Sequence, residues 1–363
     1  MTGGADIAFF GSSLVSSWWN GAATYYRGVI RGMAALGHQV TFYEPIAYSR
    51  QEHRDIADPD WARVVIYPAE DERQVRETVA RARSADVVVK TSGVGVYDDV
   101  LEDAVLQLDG PSTTIYWDVD APATLSRLEA HPADPLRRLL PGYDAVLTFG
   151  GGQPVVDRFL ALGARRCDLV YNALDPSTHH PVPPDPAYAA DVSLLANRLP
   201  DREERVDELF IRAASLLPDR TFLLGGNGWD DKVLPGNVRT VGHVGTADHN
   251  AFNCSARAVL NVTRASMASN GWSPATRVFE VAGAGACLIT DAWEGIGTFL
   301  EPGAEVLVAA DGAEVAELVS GLHELRAAAI GRAARKRVHH EHTYAARAEQ
   351  VDGLLRALGH GRR

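Results

Sequence analysis

Short apolar runs alternate with amphipathic stretches along almost the whole of this 363-residue chain. Six such runs lie in the first half, at 6–11, 38–44, 85–90, 112–118, 143–149 and 167–172. Six more lie in the second half, at 191–196, 220–226, 237–244, 257–262, 286–291 and 305–310. Buried strands separated by helices form parallel sheets covered on both faces. The pattern predicts an α/β protein of two Rossmann-like, doubly wound domains, which we expect to face each other across a cleft.

A proline-rich passage at 175–186 separates the two series of apolar runs. Proline cannot occupy the interior of a helix or of a central strand, so this passage predicts a linker. We therefore expect four segments. They are an N-terminal acceptor-side domain at 1–175, a linker at 176–190, a C-terminal domain at 191–345, and a C-terminal helix at 346–363 that can cross back to the first domain.

The charge and the cysteines disfavour several classes of protein. The formal net charge of −12 argues against a nucleic-acid-binding protein, because such proteins neutralise phosphates with basic surfaces. Cys167, Cys254 and Cys287 are far apart and mostly within apolar runs, as expected of reduced, buried thiols and not of disulfides or a zinc site.

No segment approaches the roughly 20 apolar residues of a membrane span, and the N-terminus lacks a basic signal-peptide region. We expect a cytoplasmic protein without a transmembrane segment.

The stretch from 258 to 291 is the most informative for function. It contains an apolar run, a loop rich in Gly, Ser and Pro, a helix start and a second apolar run. A helix N-terminus carries a partial positive charge, so an anion beside Ser273, Thr276 and Arg277 would be held without a metal ion. Glu280, one turn further along, could accept hydrogen bonds from ribose hydroxyls. The stretch predicts a site for a nucleotide diphosphate.

Other candidates for this site follow further apolar runs of the second half. Arginine forks match diphosphate oxygens, and three arginines come just past predicted strand ends, although each could be a surface residue: Arg198, Arg202 and Arg264. Glycine turns let the backbone approach a planar base closely. Two such turns carry Asn227, Gly228 and Trp229, and Gly242, His243 and Val244. His243 as a catalytic base is a weaker idea, because the sequence supplies it with no partner.

In the first half, the loop after the first apolar run is the main candidate for a ligand-binding loop. It leads into a helix near Ala22 and carries Ser17, Trp18, Trp19, Asn20 and Gly21. A loop of this kind can receive a phosphate or a sugar, and exposed tryptophans suit sugar stacking. It lacks the pattern G-x-G-x-x-G, which disfavours a dinucleotide site. The alternative is a Ser/Asn helix cap with both tryptophans packed on the surface.

Asp118 ends the fourth apolar run of the first half, and Asp120 lies two residues further on. A pair of this kind can act as a general base, orient an acceptor hydroxyl or hold a cation. Alternatively, Asp120 is a helix cap before Pro122. We favour a catalytic role for one of the two carboxylates without a metal.

The histidine-rich segment at 339–347 has a metal-like composition, but no clear second group of ligands accompanies it. We expect His342, Tyr344 and Arg347 to pack at a helix junction.

Together these motifs resemble the CgeB-like glycosyltransferases, a bacterial family related to spore-maturation proteins and built on the GT-B fold. The resemblance covers most of the chain, and the segments that carry it are SSWWNGAATYYRG, YWDVDAPAT, YDAVLTFGGG, GGNGW, GHV, FNCSARAVLNVTR, SPATRVFEVAGAGACLITD and EHTYAARA. It implies that the C-terminal domain holds a nucleotide-sugar donor, with Arg277 and Glu280 at donor positions, and that the N-terminal domain holds the acceptor. Two positions depart from the family pattern. Trp272 stands where related retaining enzymes carry a glutamate, and Ala22 stands where family members often carry a histidine.

The predicted function is therefore the transfer of a sugar from a nucleotide diphosphate sugar to a small-molecule or glycan acceptor, with no cofactor and no metal. If the reaction inverts, Asp118 or Asp120 is the base; if it retains, the sequence names no nucleophile. Two alternatives stay open, a noncatalytic nucleotide-sugar-binding protein and a nucleotide-sugar epimerase of the same architecture.

Overall fold

The computed structural model describes residues 4–18, 20–110 and 113–359, and the chain divides into two units. The first unit comprises Met1–Tyr171 and Tyr344–Arg363, and the second comprises Asn172–Thr343. The proline-rich stretch at 176–190 is thus part of the second unit and not a separate linker. It is tied there by hydrogen bonds, because the His180 amide donates to Asn250 Oδ1 at 3.2 Å and the Asp185 amide donates to Ser255 Oγ at 2.7 Å.

The first unit is built on a parallel sheet of seven strands in the order β3-β2-β1-β4-β5-β6-β7. The strands are β1 Asp6–Phe10, β2 Gln39–Pro45, β3 Arg63–Tyr67, β4 Val87–Thr91, β5 Thr113–Asp118, β6 Ala145–Thr148 and β7 Cys167–Leu169. The helices of this unit are α1 Ala23–Ala35, α2 Glu72–Ala80, α3 Asp98–Leu106, α4 Ala121–Ala130, α5 Pro135–Leu139, α6 Gly152–Ala161 and, from the end of the chain, α14 Tyr344–Ala357. The strand order reverses between β1 and β4, which is the Rossmann arrangement.

The C-terminal helix α14 packs closely against α1, and two glycines of α1 make this possible. A Cβ atom at Gly28 would lie 2.2 Å from the Tyr344 ring, and one at Gly32 would lie 2.7 Å from Ala348 Cβ. The Arg347 Nε also donates to the Tyr171 carbonyl at 3.2 Å. The last helix is therefore an integral part of the first unit.

The second unit repeats this architecture with six parallel strands in the order β10-β9-β8-β11-β12-β13. The strands are β8 Ala190–Leu195, β9 Phe222–Gly225, β10 Val238–Gly242, β11 Ala256–Asn261, β12 Leu288–Asp291 and β13 Leu307–Ala309. The helices are α7 Pro200–Val206, which continues through a π-turn into α8 Arg212–Leu216, then α9 His249–Ser255, α10 Ala265–Asn270, α11 Thr276–Gly283, α12 Gly312–Gly321 and α13 Glu324–Glu341.

The strand order of this second sheet reverses between β8 and β11, which are neighbours. Ligands of open α/β sheets bind beyond the carboxyl ends of the strands at such a reversal, because the connecting helices there diverge to opposite faces. The residues that follow β8 and β11 are thus placed at a favourable binding position. Within the described part of the chain, no helix is long and apolar enough to cross a membrane.

Candidate functional site

A polar cavity of about 250 Å³ opens at the carboxyl ends of β8 and β11 in the second unit. The strand ends Leu194–Ala196 and Asn261–Val262 form one wall, and the start of α11 forms another. Four of the residues that the sequence predicts to hold a donor line it, namely Arg202, Thr276, Arg277 and Glu280. The structure therefore brings these four together from two helices that are distant in sequence.

Arg202 brings an incompletely paired positive charge to this cavity. It lies in the first turn of α7, and its Nε atom is buried with no hydrogen-bond partner among the described residues. Burial, reinforced by the nearby Arg264, lowers the pKa of the Arg202 guanidinium. A partly buried guanidinium whose Nε lacks a partner favours an anionic ligand, because a charge-assisted hydrogen bond offsets the loss of water.

Arg277 and Glu280 form a pair on α11, with Arg277 Nη1 3.1 Å from Glu280 Oε2. Glu280 is 9% exposed, so burial on its own would raise the pKa of its carboxyl group, but Arg277 lowers it below the ordinary value. Ala275 caps the helix without a side-chain acceptor, so the first amides of α11 stay available to a ligand. The pair offers a carboxylate acceptor beside a helix start that attracts anions.

Two histidines that the sequence analysis did not select lie beside Glu280. His179 Nε2 is 3.8 Å from Glu280 Oε1, and the ring centroid of His249 is 6.0 Å from that of His179. Burial lowers the pKa of His179, and burial together with Arg277 lowers the pKa of His249 to about 4. Both imidazoles are therefore neutral at neutral pH. His179 lies in the proline-rich stretch and His249 begins α9, so their proximity to Glu280 arises only in the folded domain.

The other two arginines that we predicted at the donor site are paired with acidic residues instead. Arg198 contacts Glu203 and Asp231, each at 2.7 Å, and Arg264 Nε donates to Asp201 at 2.7 Å. An arginine that is already neutralised has less to gain from a diphosphate. Neither side chain is among those that line the cavity.

One residue in each of the two glycine-turn segments, Trp229 and Val244, has a structural role in this domain. Trp229 is 3% exposed, belongs to the core, and donates from Nε1 to the Ala196 carbonyl at 2.7 Å. Val244 is buried in a small apolar cluster with Leu223 and Phe252. Asn227, Gly228 and His243 are exposed, and Gly242 has a φ of +61°.

Ser273 and Trp272 shape the loop that precedes α11. Ser273 is 2% exposed and donates to the Gly271 carbonyl at 2.9 Å, so its hydroxyl is satisfied internally. Trp272 has a φ of +39° and its amide donates to the Glu294 carbonyl at 2.6 Å. Its ring packs on Gly295, where a Cβ atom would lie 2.2 Å from Trp272 Cδ1. Trp272 thus fixes the turn in a conformation that a bulky residue rarely adopts.

In the first unit, the predicted acceptor loop is held by internal hydrogen bonds. Asn20 is buried, and its Nδ2 donates to the carbonyls of Ser13 and Ser16 at 2.8 and 3.0 Å. Ser17 donates from its amide and hydroxyl to Asp55 at 3.2 and 2.8 Å. Asn20 and Ser17 therefore organise the loop.

Trp18, Trp19 and Gly21 are the remaining predicted residues of this loop. Trp18 is 44% exposed and stacks on His53 with ring centroids 4.0 Å apart, which leaves an aromatic surface open. Gly21 is also exposed, and Trp19 lies outside the described residues.

Asp118 and Asp120 differ sharply in environment. Asp118 is fully buried at the end of β5 and accepts hydrogen bonds from Ser92 Oγ at 2.7 Å and from the Asp120 amide at 2.8 Å. Burial raises the pKa of Asp118, although these hydrogen bonds oppose the shift. Asp120 is exposed at the start of α4 and makes no side-chain capping bond. Only Asp120 of the two presents its carboxylate at the surface of this unit.

The histidine-rich segment packs as expected at a helix junction. His342 is buried with its ring centroid 5.9 Å from that of Phe279 and 5.6 Å from that of Phe299. Tyr344 and Arg347 are buried too.

Residues 202–353 match the family described as Glycosyl transferase-like. The matched segment covers less than half of the chain, and it includes Arg202, Arg277 and Glu280. Most of the matched segment, residues 202–343, lies in the second unit. The predicted enzyme class, a glycosyltransferase, is confirmed by this match. No curated protein matches the chain.

Solved structures similar to this chain extend over nearly its whole length. HepE of Anabaena in complex with UDP and glucose has a TM-score of 0.67 at 14% identity, covering 97% of this chain and 100% of its own. Sucrose-phosphate synthase of Thermosynechococcus elongatus has a TM-score of 0.68 at 15% identity, covering 98% and 99%. An E. coli structure described as trehalose-6-phosphate, bound with UDP-2-fluoro glucose, has a TM-score of 0.66 at 10% identity, covering 98% and 99%. The chain has the GT-B fold. The predicted fold class, two parallel Rossmann-like sheets of the GT-B type, is thereby confirmed.

Proposed function

We propose that this protein transfers a sugar from a UDP-sugar to a small-molecule or glycan acceptor. The observation that carries the proposal is the position of the polar cavity, where Arg202, Arg277 and Glu280 meet inside the segment that matches the glycosyltransferase family. Uridine as the base is supported by the similar GT-B structures, among which HepE holds UDP or UDP-glucose and the E. coli structure holds UDP-2-fluoro glucose.

In this proposal the diphosphate lies between Arg202 and the first turn of α11. The unpaired Nε of Arg202 and the amides at Thr276 and Arg277 then stabilise the charge that develops on the leaving diphosphate. The Glu280 carboxylate accepts hydrogen bonds from the ribose hydroxyls. Preorganised donors of this kind can each contribute about 3 kcal/mol to lowering the activation barrier, so no metal cofactor is required.

The acceptor side of the proposal belongs to the first unit. If the sugar is transferred with inversion, Asp120 is the better general base, because its carboxylate is exposed whereas that of Asp118 is buried and hydrogen-bonded. Asp118 then positions Asp120 through the bond to its backbone amide. The exposed ring of Trp18 offers a stacking surface for a sugar-bearing acceptor.

The subfamily and the cellular location are also part of the proposal. The motifs quoted for the resemblance support membership of the CgeB-like group of glycosyltransferases. The three cysteines Cys167, Cys254 and Cys287 are all free thiols, which supports a reducing, cytoplasmic location.

The proposal is tested by incubating the full chain with radiolabelled UDP-glucose, UDP-galactose and UDP-N-acetylglucosamine and a panel of acceptors. We expect release of UDP with a labelled product, retained in EDTA and lost in Glu280→Ala. The matched control Glu317→Ala removes an exposed glutamate of α12 and should leave turnover unchanged.

Three other results would each contradict one part of the proposal. Donor binding without any turnover identifies a noncatalytic nucleotide-sugar-binding protein, and an epimerised donor formed without acceptor identifies an epimerase. A strict metal requirement overturns the metal-free course.

A further inference from the structure

His179, His249 and Glu280 form a compact cluster of potential metal ligands in the second unit. One ligand atom from each lies within 4.8 Å of the others, and His179 Nε2 is 3.8 Å from Glu280 Oε1. The three residues come from the proline-rich stretch, from α9 and from α11. A cluster assembled from three separate segments is a property of the folded domain and not of a local sequence motif.

One ring nitrogen of each histidine in this cluster lacks a hydrogen-bond partner among the described residues. His179 Nε2 and His249 Nδ1 are both buried, and neither has a partner among the described residues. A buried polar atom without a partner costs about 1–3 kcal/mol of folding free energy. A ligand that accepts electron pairs from these nitrogens would remove that cost.

Neighbouring contacts hold the ligand atoms in orientation. Thr178 Oγ1 donates to the Asp175 carbonyl at 3.2 Å and lies 2.9 Å from His179 Nδ1, so Nδ1 donates to Thr178 and Nε2 keeps its lone pair. Outer contacts of this kind fix the tautomer and ring orientation of metal-binding histidines.

Glu280 is oriented in the same way. Arg277 holds Oε2 at 3.1 Å, which leaves Oε1 as the oxygen nearest to His179. The carboxylate can therefore contact a cation through one oxygen while the other remains paired with the guanidinium.

We propose that His179, His249 and Glu280 bind a divalent transition metal of the zinc type, with three protein ligands and one open coordination position. Two imidazoles and a carboxylate are a ligand set that suits Zn²⁺, whereas Mg²⁺ and Ca²⁺ prefer oxygen ligands throughout. Ligand atoms about 2.0–2.2 Å from a tetrahedral metal are roughly 3.4 Å apart, so modest side-chain rotation closes the observed separations. The positive charge of Arg277 favours an anion or hydroxide at the open position.

A consequence follows that rests on the proposed function. Glu280 is also the carboxylate assigned to the ribose, so the metal and the nucleotide compete for it. The metal then acts as an inhibitor of donor binding and not as a cofactor of transfer, in agreement with the EDTA-resistant transfer that we expect.

The test uses the full chain, stripped of metal with EDTA and then freed of the chelator, without nucleotide. Zn²⁺ binding is measured by calorimetry, and Co²⁺ binding by the visible absorption typical of tetrahedral cobalt. We expect one metal per chain, with binding weakened at least about tenfold in His179→Ala and His249→Ala. The control His180→Ala removes the exposed histidine next in sequence to His179 and should bind the metal as the unchanged protein does.

The variant His249→Gln guards against a folding defect, because it keeps a side chain of similar length. Equal Zn²⁺ affinity in the unchanged protein, His249→Ala and His249→Gln would overturn the metal site, as would the absence of the cobalt absorption. A second titration adds UDP at saturating Zn²⁺, and we expect its affinity to fall at least about tenfold. If the metal binds but does not weaken UDP binding, the metal site stands and Glu280 is not the ribose ligand. If UDP binds but the metal does not, the metal site is overturned and the nucleotide site stands.

Discussion

Arg277 Nη1 lies 3.1 Å from Glu280 Oε2 across one turn of α11, at the wall of the cavity beyond β8 and β11. The guanidinium holds the nearly buried carboxylate in its ionised form, since it lowers the pKa that burial would raise. The same contact brings a cation and an anion to one ligand-sized cavity. A nucleotide diphosphate, which carries both hydroxyl groups and negative charge, is complementary to this combination.

Glu280→Gln should weaken UDP binding by about 10-fold to 100-fold, because a hydrogen bond to a charged group contributes about 1.5–3 kcal/mol. The amide keeps the size of the side chain but removes its charge. Calorimetry with UDP and with UMP measures the effect, and we expect similar losses for both nucleotides because both contain the ribose. A loss confined to UDP would contradict the assignment of Glu280 to the ribose.

Arg202→Ala should reduce the affinity for UDP by about 10-fold to 100-fold and leave the affinity for uridine unchanged, because the guanidinium is assigned to the diphosphate. Arg198→Ala is the matched control, since Arg198 is paired with Glu203 and Asp231. Competition of UDP and uridine against a fluorescent nucleotide provides the measurement. An equal loss in both arginine variants would refute the distinction between a ligand-facing and an ion-paired arginine.

Asp120→Asn should lower kcat about 10²-fold to 10⁴-fold with little change in the KM for the donor, if the reaction inverts and Asp120 is the base. Asp109, an exposed aspartate that precedes β5, provides the control, and Asp109→Asn should be active. Initial rates of UDP release with a competent acceptor give both constants. Full activity of Asp120→Asn would exclude it as the base.

Gly28→Ala should destabilise the first unit by about 1–3 kcal/mol, since the new methyl group would lie 2.2 Å from the Tyr344 ring. Gly353→Ala serves as the comparison, because Gly353 lies in α14 with nothing within 4 Å of an added Cβ atom. That second change should leave stability unchanged or raise it by up to about 1 kcal/mol through helix propensity. Urea unfolding of both variants measures the difference, and equal midpoints would contradict the close contact between α1 and α14.

Glu102 should make the stability of the first unit depend on pH. The side chain is 4% exposed with its Oε1 3.6 Å from Lys90 Nζ, and burial raises the pKa of Glu102 from 4.5 to about 7. Between these two values the folded state retains a proton that the unfolded state has lost, so stability falls as the pH rises through this window and then levels off. The loss is at most about 3 kcal/mol.

Glu102→Gln removes this titration. Urea midpoints at about pH 5 and pH 8 should therefore differ less in the variant than in the unchanged protein. An identical pH dependence of the two proteins would show that Glu102 does not titrate in this range.

The sheets were largely predictable from the sequence, because buried parallel strands are continuous apolar runs. All six strands of the second sheet overlap predicted runs, and six of the seven strands of the first sheet do too. The strand that was missed, β3 at Arg63–Tyr67, lies at the edge of its sheet and is only partly buried. Its sequence, RVVIY, contains four consecutive apolar residues, so this strand too could have been predicted from its apolar run.

The candidate site was predictable only in part. Thr276, Arg277 and Glu280 could be placed together because they share the first turns of one helix, where spacing fixes proximity. Nothing local distinguishes Arg202, which lines the cavity, from Arg198 and Arg264, which are paired with acidic residues. Similarly, the histidines selected by composition, around His342, pack at a helix junction, whereas His179 and His249 approach Glu280.

The sequence by itself determined the two α/β domains, the helix start that carries Arg277 and Glu280, and the glycosyltransferase class. The two domains follow from periodicity and the helix start from residues close together in the chain, whereas the glycosyltransferase class follows from the resemblance of the quoted motifs. Only the tertiary structure decided which arginine keeps an unpaired charge, which aspartate is exposed, and which histidines meet the carboxylate of Glu280. These outcomes depend on burial and on neighbours contributed by distant segments, and the side-chain pattern of a single segment does not encode them.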